Sequence, residues 1–145
     1  MCSKSMHQKT FLANLSQLHE MLSFIQSYGQ SHHINSYILN QIVVAAEEAL
    51  VNIIYHGYPD QIGKIEIICD KTSLKPGIRI LIKDQGIPFN PVKKGLSNKK
   101  NNSTNLKIGG YGIYLYVEIM DKVEYQRGKE GNILSLIKYI MDPEQ

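Results

Sequence analysis

The chain has 145 residues, of which 43% are hydrophobic and 20% are charged, and its formal net charge at pH 7 is +3. This composition is typical of one globular domain, which we expect to span residues 1–145, and it excludes an intrinsically disordered chain. The small excess of positive charge does not indicate a nucleic-acid-binding protein. The two cysteines, Cys2 and Cys69, lack the spacing of a disulfide framework or a zinc site.

Neither a signal segment nor a membrane helix is predicted. Residues 1–9 are polar and lack an apolar core. No apolar run reaches the ~20 residues that a membrane helix needs. We therefore expect a cytoplasmic protein without a membrane anchor.

The first part of the chain predicts one short strand followed by two helices. Residues 9–13 fit a strand. Apolar residues recur at helical spacing over residues 16–28, and Gly29 is expected to end that helix. Asn35 is a typical N-cap residue for a second helix, which is expected to run to about Tyr55.

The rest of the chain predicts four strands and one helix. Alternating apolar and polar residues at 64–70 and 78–84 predict two strands joined by a turn, and residues 123–127 and 132–139 predict two more. A helix is expected to end at about Met120. This order of elements predicts an α+β fold, a two-layer α/β sandwich in which a mixed β-sheet is covered by helices on one face.

Residues 91–107 interrupt this pattern. They are rich in lysine and asparagine and contain almost no core-forming residues, so this segment is either disordered or a functional lid. A run of charges usually forms a solvated loop. Nucleic-acid binding is a further alternative, disfavoured because no aromatic residue is interleaved for base stacking. As a lid over a triphosphate, the segment would place Lys107 nearest to the glycines that follow it.

Glu48 and Asn52 form the first candidate site. They are four residues apart on the predicted second helix and therefore share one strip of its surface. Most of that helix is apolar, so a carboxylate and an amide are costly there unless a ligand uses them. A magnesium-bound nucleotide would use both, because the Asn52 oxygen can ligate Mg²⁺ and the Glu48 carboxylate can accept a proton from an attacking hydroxyl group. The alternative is an ordinary solvated strip.

Asp84 and Gly86 form the second candidate site, at the end of a predicted strand. A buried Asp84 carboxylate would accept a hydrogen bond from the 6-amino group of adenine and would disfavour guanine, which carries a carbonyl group there. Gly86 would allow the backbone to approach the base closely. The alternative is a common turn containing Asp, Gly and Pro.

Gly109, Gly110, Tyr111 and Gly112 form the third candidate site, at the start of the last helix. Glycines leave backbone N–H groups free to face a phosphate, and the N-terminus of a helix adds a favourable partial charge. The alternative is a flexible hinge before a helix.

These motifs, in the order Glu-x-x-x-Asn, Asp-x-Gly and Gly-Gly-x-Gly, resemble the N box and the two glycine boxes of the GHKL ATPase superfamily, which has the Bergerat ATP-binding fold. The resemblance implies ATP and Mg²⁺ as ligands and residues 91–108 as the ATP lid. It implies Glu48 as the catalytic base and Asn52 as the magnesium ligand. The residues expected to contact ATP are Asn52, Asp84, Gly86, Lys107, Gly109, Gly110, Tyr111 and Gly112.

Three longer segments resemble one particular family within this superfamily. The segments E-A-L-V-N-I-I-Y-H-G-Y at 48–58, D-Q-G-I-P-F-N-P at 84–91 and G-G-Y-G-I-Y-L-Y-V-E-I-M-D at 109–121 look like those of anti-sigma-factor serine/threonine protein kinases. This likeness implies transfer of the γ-phosphate of Mg-ATP to a serine of a STAS-domain anti-anti-sigma protein, inhibition of a sigma factor, and a homodimer. The chain departs from the superfamily pattern at Asn132, where many members carry a threonine near the base.

Two alternatives remain within the same superfamily. The first is a non-catalytic, ATP-dependent protein-binding switch of the same fold. The second is the catalytic fragment of a histidine kinase, disfavoured because the segment before the N box is too short for a dimerisation helix pair that carries a phospho-accepting histidine.

Overall fold

The computed structural model describes residues 6–90 and 116–140. The predicted lid at 91–108, which includes Lys107, lies outside the described residues. The motif of Gly109, Gly110, Tyr111 and Gly112 lies outside them as well. The fold below is therefore that of the helices and strands on either side of this segment.

The first helix, α1 (Leu18–Ser31), follows a 3₁₀ turn at Leu15–Gln17. The prediction that Gly29 ends this helix is wrong, because α1 continues to Ser31 and the chain reverses at His33, whose φ is 57°. Gly29 is buried inside the helix, and a Cβ atom there would lie 2.4 Å from the side chain of Leu39 in the next helix. Its lack of a side chain therefore allows close helix packing.

The second helix, α2 (Ser36–Asn52), begins as predicted after Asn35. The Asn35 side-chain oxygen accepts hydrogen bonds from the backbone N–H groups of Tyr37 at 2.8 Å and Ile38 at 3.3 Å. These bonds satisfy two donors that the first turn of a helix leaves without a partner. At its other end, α2 passes into a π-helical turn, Ile53–Gly57.

Within residues 6–90 and 116–140, five strands form one sheet. They are β1 (His7–Leu12), β2 (Lys64–Lys71), β3 (Gly77–Asp84), β4 (Lys122–Gly128) and β5 (Gly131–Tyr139). Their spatial order is β1-β2-β3-β5-β4, and every pairing among these strands is antiparallel. The predicted α+β class is confirmed, but the expectation of a mixed sheet is wrong for the described strands. β3 and β4 run in the same direction, and β5 lies between them, so they do not pair.

One face of the sheet packs against the helices. Side chains alternate between the two faces of a strand. In β2 and β3, the buried side chains are mainly isoleucines. Fully burying each of these side chains contributes about 1.5–3 kcal/mol. The central strands and the two helices supply a common core that includes Met21, Ile25, Ala45, Ala49, Leu50, Ile65, Ile67, Cys69, Ile78, Ile80, Ile82, Leu134 and Leu136.

The segment Ser36–Gly57 is long and apolar enough, by length and composition, to cross a membrane, with a mean hydropathy of 1.4 over its most apolar window. This finding differs from the prediction that no apolar run reaches the length of a membrane helix. In the structure, Leu39, Ile42 and Leu50 of this segment are buried in the fold. The core helix of a globular domain meets the same criterion, so the composition of α2 is explained by its packing.

Substitution of Gly131 by alanine should destabilise the fold. Gly131 has a φ of 119°, and a Cβ atom there would lie 2.2 Å from the carbonyl oxygen of Asp84. We expect Gly131→Ala to lower the free energy of unfolding by about 1–3 kcal/mol, measured by urea denaturation. Gly128→Ala is the matched control, since a Cβ atom there meets no atom within 4 Å. Equal stability of the two variants would contradict this explanation.

Candidate functional site

The π-helical turn after α2 brings the backbone of the helix onto the end of β3. The N–H group of Ile87 donates to the carbonyl oxygen of Gly57 at 2.9 Å. A Cβ atom at Gly86 would lie 2.5 Å from that same oxygen. Gly86 is therefore required for this contact, and the first two candidate sites are joined through their backbones.

Tyr58 fixes the segment that follows this turn. Its hydroxyl group donates to the carbonyl oxygen of Lys64 at 3.0 Å and accepts from the N–H group of Gln85 at 2.7 Å. Burial raises the pKa of Tyr58 above its ordinary value, although the hydrogen bond from Gln85 opposes the shift. Tyr58 thus links the start of β2 to the end of β3.

A cavity lies between α2 and this end of the sheet. Its walls are mostly apolar, with three buried polar side chains, and the lining residues are Ala49, Asn52, Ile53, Gly57, Asp84, Ile87, Phe89, Tyr116, Tyr125, Asn132 and Leu134.

Asp84 is the charged side chain in the cavity wall, and only 6% of its surface is exposed. Its Oδ1 atom accepts hydrogen bonds from the backbone N–H group of Gly86 at 2.8 Å and from the side-chain amide of Asn132 at 2.9 Å. Burial raises the pKa of Asp84 above its ordinary value of 3.8, while these two hydrogen bonds and the charge of Arg127 act in the opposite direction. The carboxyl group is thus buried but has specific donors.

Asp84, Asn132 and Arg127 form a row across β3, β5 and β4, because each pairs with the next in the strand registers. Tyr125 donates a hydrogen bond from its hydroxyl group to Oδ1 of Asn132. Arg127 donates from Nη1 to the carbonyl oxygen of Gly86 at 2.9 Å. The β4–β5 hairpin therefore contributes polar side chains to the same site as the Asp-x-Gly motif.

Asn52 reaches the cavity from α2. It is 5% exposed, and its Nδ2 atom donates to the carbonyl oxygen of Glu48 at 2.8 Å. Because the amide nitrogen is committed to this bond, the side-chain oxygen is the end of the amide that is available to a ligand. Asn52 can therefore supply an oxygen ligand at the cavity wall.

Glu48 lies one helical turn before Asn52 and is partly buried. It does not line the cavity itself, but its charge acts on Tyr116, which does. Burial, followed by the charge of Glu48, raises the pKa of the Tyr116 phenol above its ordinary value. Asn52 and Asp84 therefore share the cavity, and Glu48 lies beside it.

The histidine kinase-like ATPase domain is the protein family whose model matches this chain, over residues 11–138. The chain belongs to this family. The matched range includes the Glu-x-x-x-Asn and Asp-x-Gly motifs, all of β2, β3 and β4, the end of β1 and all but the last residue of β5. The resemblance inferred from the three motifs is confirmed at the level of this ATPase domain, and the family implies that the chain uses ATP.

Relatives of this ATPase domain include proteins named "Serine-protein kinase RsbW" from Staphylococcus aureus. The proteins of strains MSSA476, MRSA252 and JH9 are each 32% identical to the chain over 103 residues. The aligned region covers 67% of this chain and 63% of each relative. The chain thus spans less than two thirds of the length of these kinases.

Within the ATPase domain, sequence reasoning missed several residues of the cavity. Tyr125 and Phe89 were not singled out, although both line it, and Phe89 stacks on the ring of His56 with centroids 4.8 Å apart. Asn132 was noted only as a departure from the family pattern. The register of β3 with β5, which places Asn132 opposite Asp84, was the signal that could have found it.

Replacing Asp84 by asparagine should stabilise this ATPase domain at neutral pH. Because the pKa of Asp84 is raised in the folded protein, its charged form is disfavoured there, and the stability of the wild type falls as pH rises from 3.8 through the folded pKa. We expect the urea midpoint of Asp84→Asn to exceed that of the wild type by an amount that grows over this range. Asp60→Asn, at an exposed aspartate, is the control. A less stable Asp84→Asn at pH 7 would mean that hydrogen bonding outweighs desolvation.

Proposed function

We propose that the chain is a serine protein kinase of the anti-sigma-factor type. It transfers the γ-phosphate of Mg-ATP to a serine of a STAS-domain anti-anti-sigma partner and binds and inhibits a sigma factor. The observation that carries this proposal is the common cavity of Asn52 and Asp84, two buried polar residues from separate motifs. The similarity to serine-protein kinases over 103 residues supports the choice of reaction.

The base of ATP is proposed to enter the cavity next to Asp84. The ionised carboxylate is an acceptor only, so it accepts a hydrogen bond from the 6-amino group of adenine and repels the 6-carbonyl group of guanine. Ile87, Phe89 and Leu134 line the cavity and supply apolar surface for the base to pack against. Gly86 fits this role because its missing side chain keeps the adjacent backbone close to α2.

The residues present fit a magnesium ion. Asn52 has its nitrogen bonded to the carbonyl oxygen of Glu48, which leaves its oxygen as a hard ligand. Mg²⁺ takes oxygen ligands and keeps several waters and substrate phosphates, so a single amide oxygen would complete its coordination rather than supply most of it. When bound, the ion neutralises charge on the phosphates. Asn52 would hold it at the end of the cavity nearest α2.

Glu48 is proposed as the general base. The hydroxyl oxygen of the partner's serine attacks the γ-phosphorus, the bond from that phosphorus to the β–γ bridging oxygen breaks, and ADP leaves. The serine proton passes to the carboxylate of Glu48. The half-buried position of Glu48 beside the cavity, and not within it, suits contact with a group that approaches from outside.

Other parts of the proposal rest on the family resemblance and on the motifs. They are a single domain spanning residues 1–145, a lid at 91–108, contacts to the phosphates from Lys107, Gly109, Gly110, Tyr111 and Gly112, a cytoplasmic location and a homodimer. No described residue contributes to the lid or to the glycine motif.

Replacing Glu48 by glutamine should abolish most phosphoryl transfer. The amide cannot accept the serine proton, so we expect the rate to fall about 10²- to 10⁴-fold while ATP affinity is unchanged. The measurement is transfer of ³²P from labelled ATP to a STAS-domain protein of the same organism. Glu47→Gln, at the exposed neighbouring position, should keep the wild-type rate.

Two outcomes of this assay would change the proposal. Wild-type turnover in Glu48→Gln would remove Glu48 from its role. ATP binding by the wild type without formation of phosphoserine would favour the non-catalytic switch.

Replacing Asn52 by alanine should weaken the binding of Mg-ATP by about tenfold or more, because the variant loses its oxygen ligand. Isothermal titration with ATP in magnesium measures this loss, and the same titration with EDTA should give a much smaller difference between variant and wild type. Asn40→Ala, at an exposed position of the same helix, is the control. An equal loss of affinity with and without magnesium would contradict the assignment.

A further inference from the structure

Asn132 is the residue through which the β4–β5 hairpin contacts the Asp84 carboxyl group. It is 5% exposed and lies opposite Asp84 in the β3–β5 register. Besides its bond to Asp84, its Nδ2 atom donates to the carbonyl oxygen of Gly86 at 3.2 Å. The same nitrogen lies 3.4 Å from the carbonyl oxygen of Ile87, so its two hydrogens are shared among Asp84, Gly86 and Ile87.

The acceptors around Asn132 fix the orientation of its amide. The Gly86 carbonyl oxygen and the ionised Asp84 carboxylate can only accept hydrogen bonds, so the amide nitrogen must face them. A phenol can donate or accept, and the Tyr125 hydroxyl group therefore donates to the remaining Oδ1 atom of Asn132. Every polar atom of the Asn132 side chain therefore has a partner, and Asn132 acts on a ligand through Asp84 rather than by direct contact.

Both hydrogen bonds that Asp84 accepts within residues 6–90 and 116–140 go to Oδ1, from Gly86 and Asn132. Over the same residues Oδ2 accepts none, and Asp84 lines the cavity. A carboxylate in which one oxygen has two donors is held in one orientation. Its second oxygen is then the acceptor presented to a ligand.

We propose that Asn132 is a positioning residue for nucleobase recognition, which keeps Asp84 ionised and presents Oδ2 to an exocyclic amino group. The inference rests on the proposed function, because it assigns the base of ATP to this cavity. An ionised Asp84 discriminates between an amino group and a carbonyl group, whereas a protonated carboxyl group can donate to a carbonyl and loses that discrimination. Burial favours the protonated form, and the donor from Asn132 opposes it.

Other titratable groups also face Asp84 and the cavity. Arg127 and Tyr125 approach from β4, and Tyr58 and His56 approach from the segment after α2. Tyr116 lines the cavity from the helical residues 116–119. Because several of these groups are ionisable, an effect of pH on nucleotide binding would not by itself identify Asp84. The titration must therefore be followed on Asp84 directly.

The first test uses the nucleotide-free protein. The ¹³Cγ chemical shift of Asp84, followed by NMR against pH, should show a higher titration midpoint in Asn132→Ala than in the wild type, because the donor to the charged form is lost. Ser135→Ala removes a polar side chain from the opposite face of the same strand and should leave the midpoint unchanged. An unchanged midpoint in Asn132→Ala would overturn the inference.

The second test measures the affinities for ATP and GTP across the same pH range by calorimetry. In Asn132→Ala, ATP affinity should fall about tenfold or more at mildly acidic pH, with partial recovery as pH rises, and the preference for ATP over GTP should decrease. If Asn132 had only a structural role, its replacement would lower the affinities for ATP and GTP equally at every pH. Should Asn132→Ala fail to fold, Asn132→Leu, which keeps the shape of the side chain but removes the donor, should show the same upward shift of the midpoint.

Different results would refute the kinase function and the positioning role of Asn132. A wild type that binds no ATP would refute the proposed function and, with it, recognition by Asn132. A wild type that selects ATP, together with an Asn132→Ala variant of unchanged midpoint and unchanged selectivity, would refute the inference alone.

Discussion

The burial of the Asp84 carboxyl group at the end of β3 is the constraint on which the site depends. A charged group removed from water is costly unless donors replace the water. Here the donors come from the turn that follows, through Gly86, and from the neighbouring strand, through Asn132. Gly131 must lack a side chain because the backbone of Asp84 lies against it. Helix, sheet and hairpin therefore meet around one carboxylate.

This arrangement explains why α2 is both apolar and functional. Its apolar residues pack on the sheet, and this packing places the strip that contains Glu48 and Asn52 at the end of the sheet. The π-helical turn then brings the backbone of Gly57 against Gly86. There the Gly57 carbonyl oxygen accepts a hydrogen bond from the N–H group of Ile87. A site in which buried polar groups are held by rigid elements favours a ligand that completes their hydrogen bonds. The raised pKa of Asp84 indicates that the fold gives up some stability for this site.

Much of the fold could be predicted from the sequence, because its signals are local. Alternation of apolar residues predicted β2 and β3 nearly to their ends, and Asn35 predicted the start of α2. The pairing of strands could not be predicted in this way, since the insertion of β5 between β3 and β4 depends on contacts distant in sequence. Gly29 was misread for a related reason. It lies inside α1 because Leu39 packs against it, and no local pattern contains that contact.

The residues of the site also differ in whether a local pattern of the sequence could identify them. Asn52, Asp84 and Gly86 were found from short motifs whose spacing has chemical meaning. Tyr125 belongs to no such motif, and Asn132 was noted only as a departure from the family pattern. Their place at the cavity follows from the strand register and the fold of the hairpin.

The most direct test of this account is a calorimetric titration of the wild-type chain with ATP and with GTP in the presence of magnesium. A carboxylate that accepts from an amino group predicts saturable binding of one ATP per chain and GTP binding weaker by about two orders of magnitude. Equal affinity for the two nucleotides, or no binding of ATP, would contradict the assignment of the cavity between α2 and Asp84 to the adenine base.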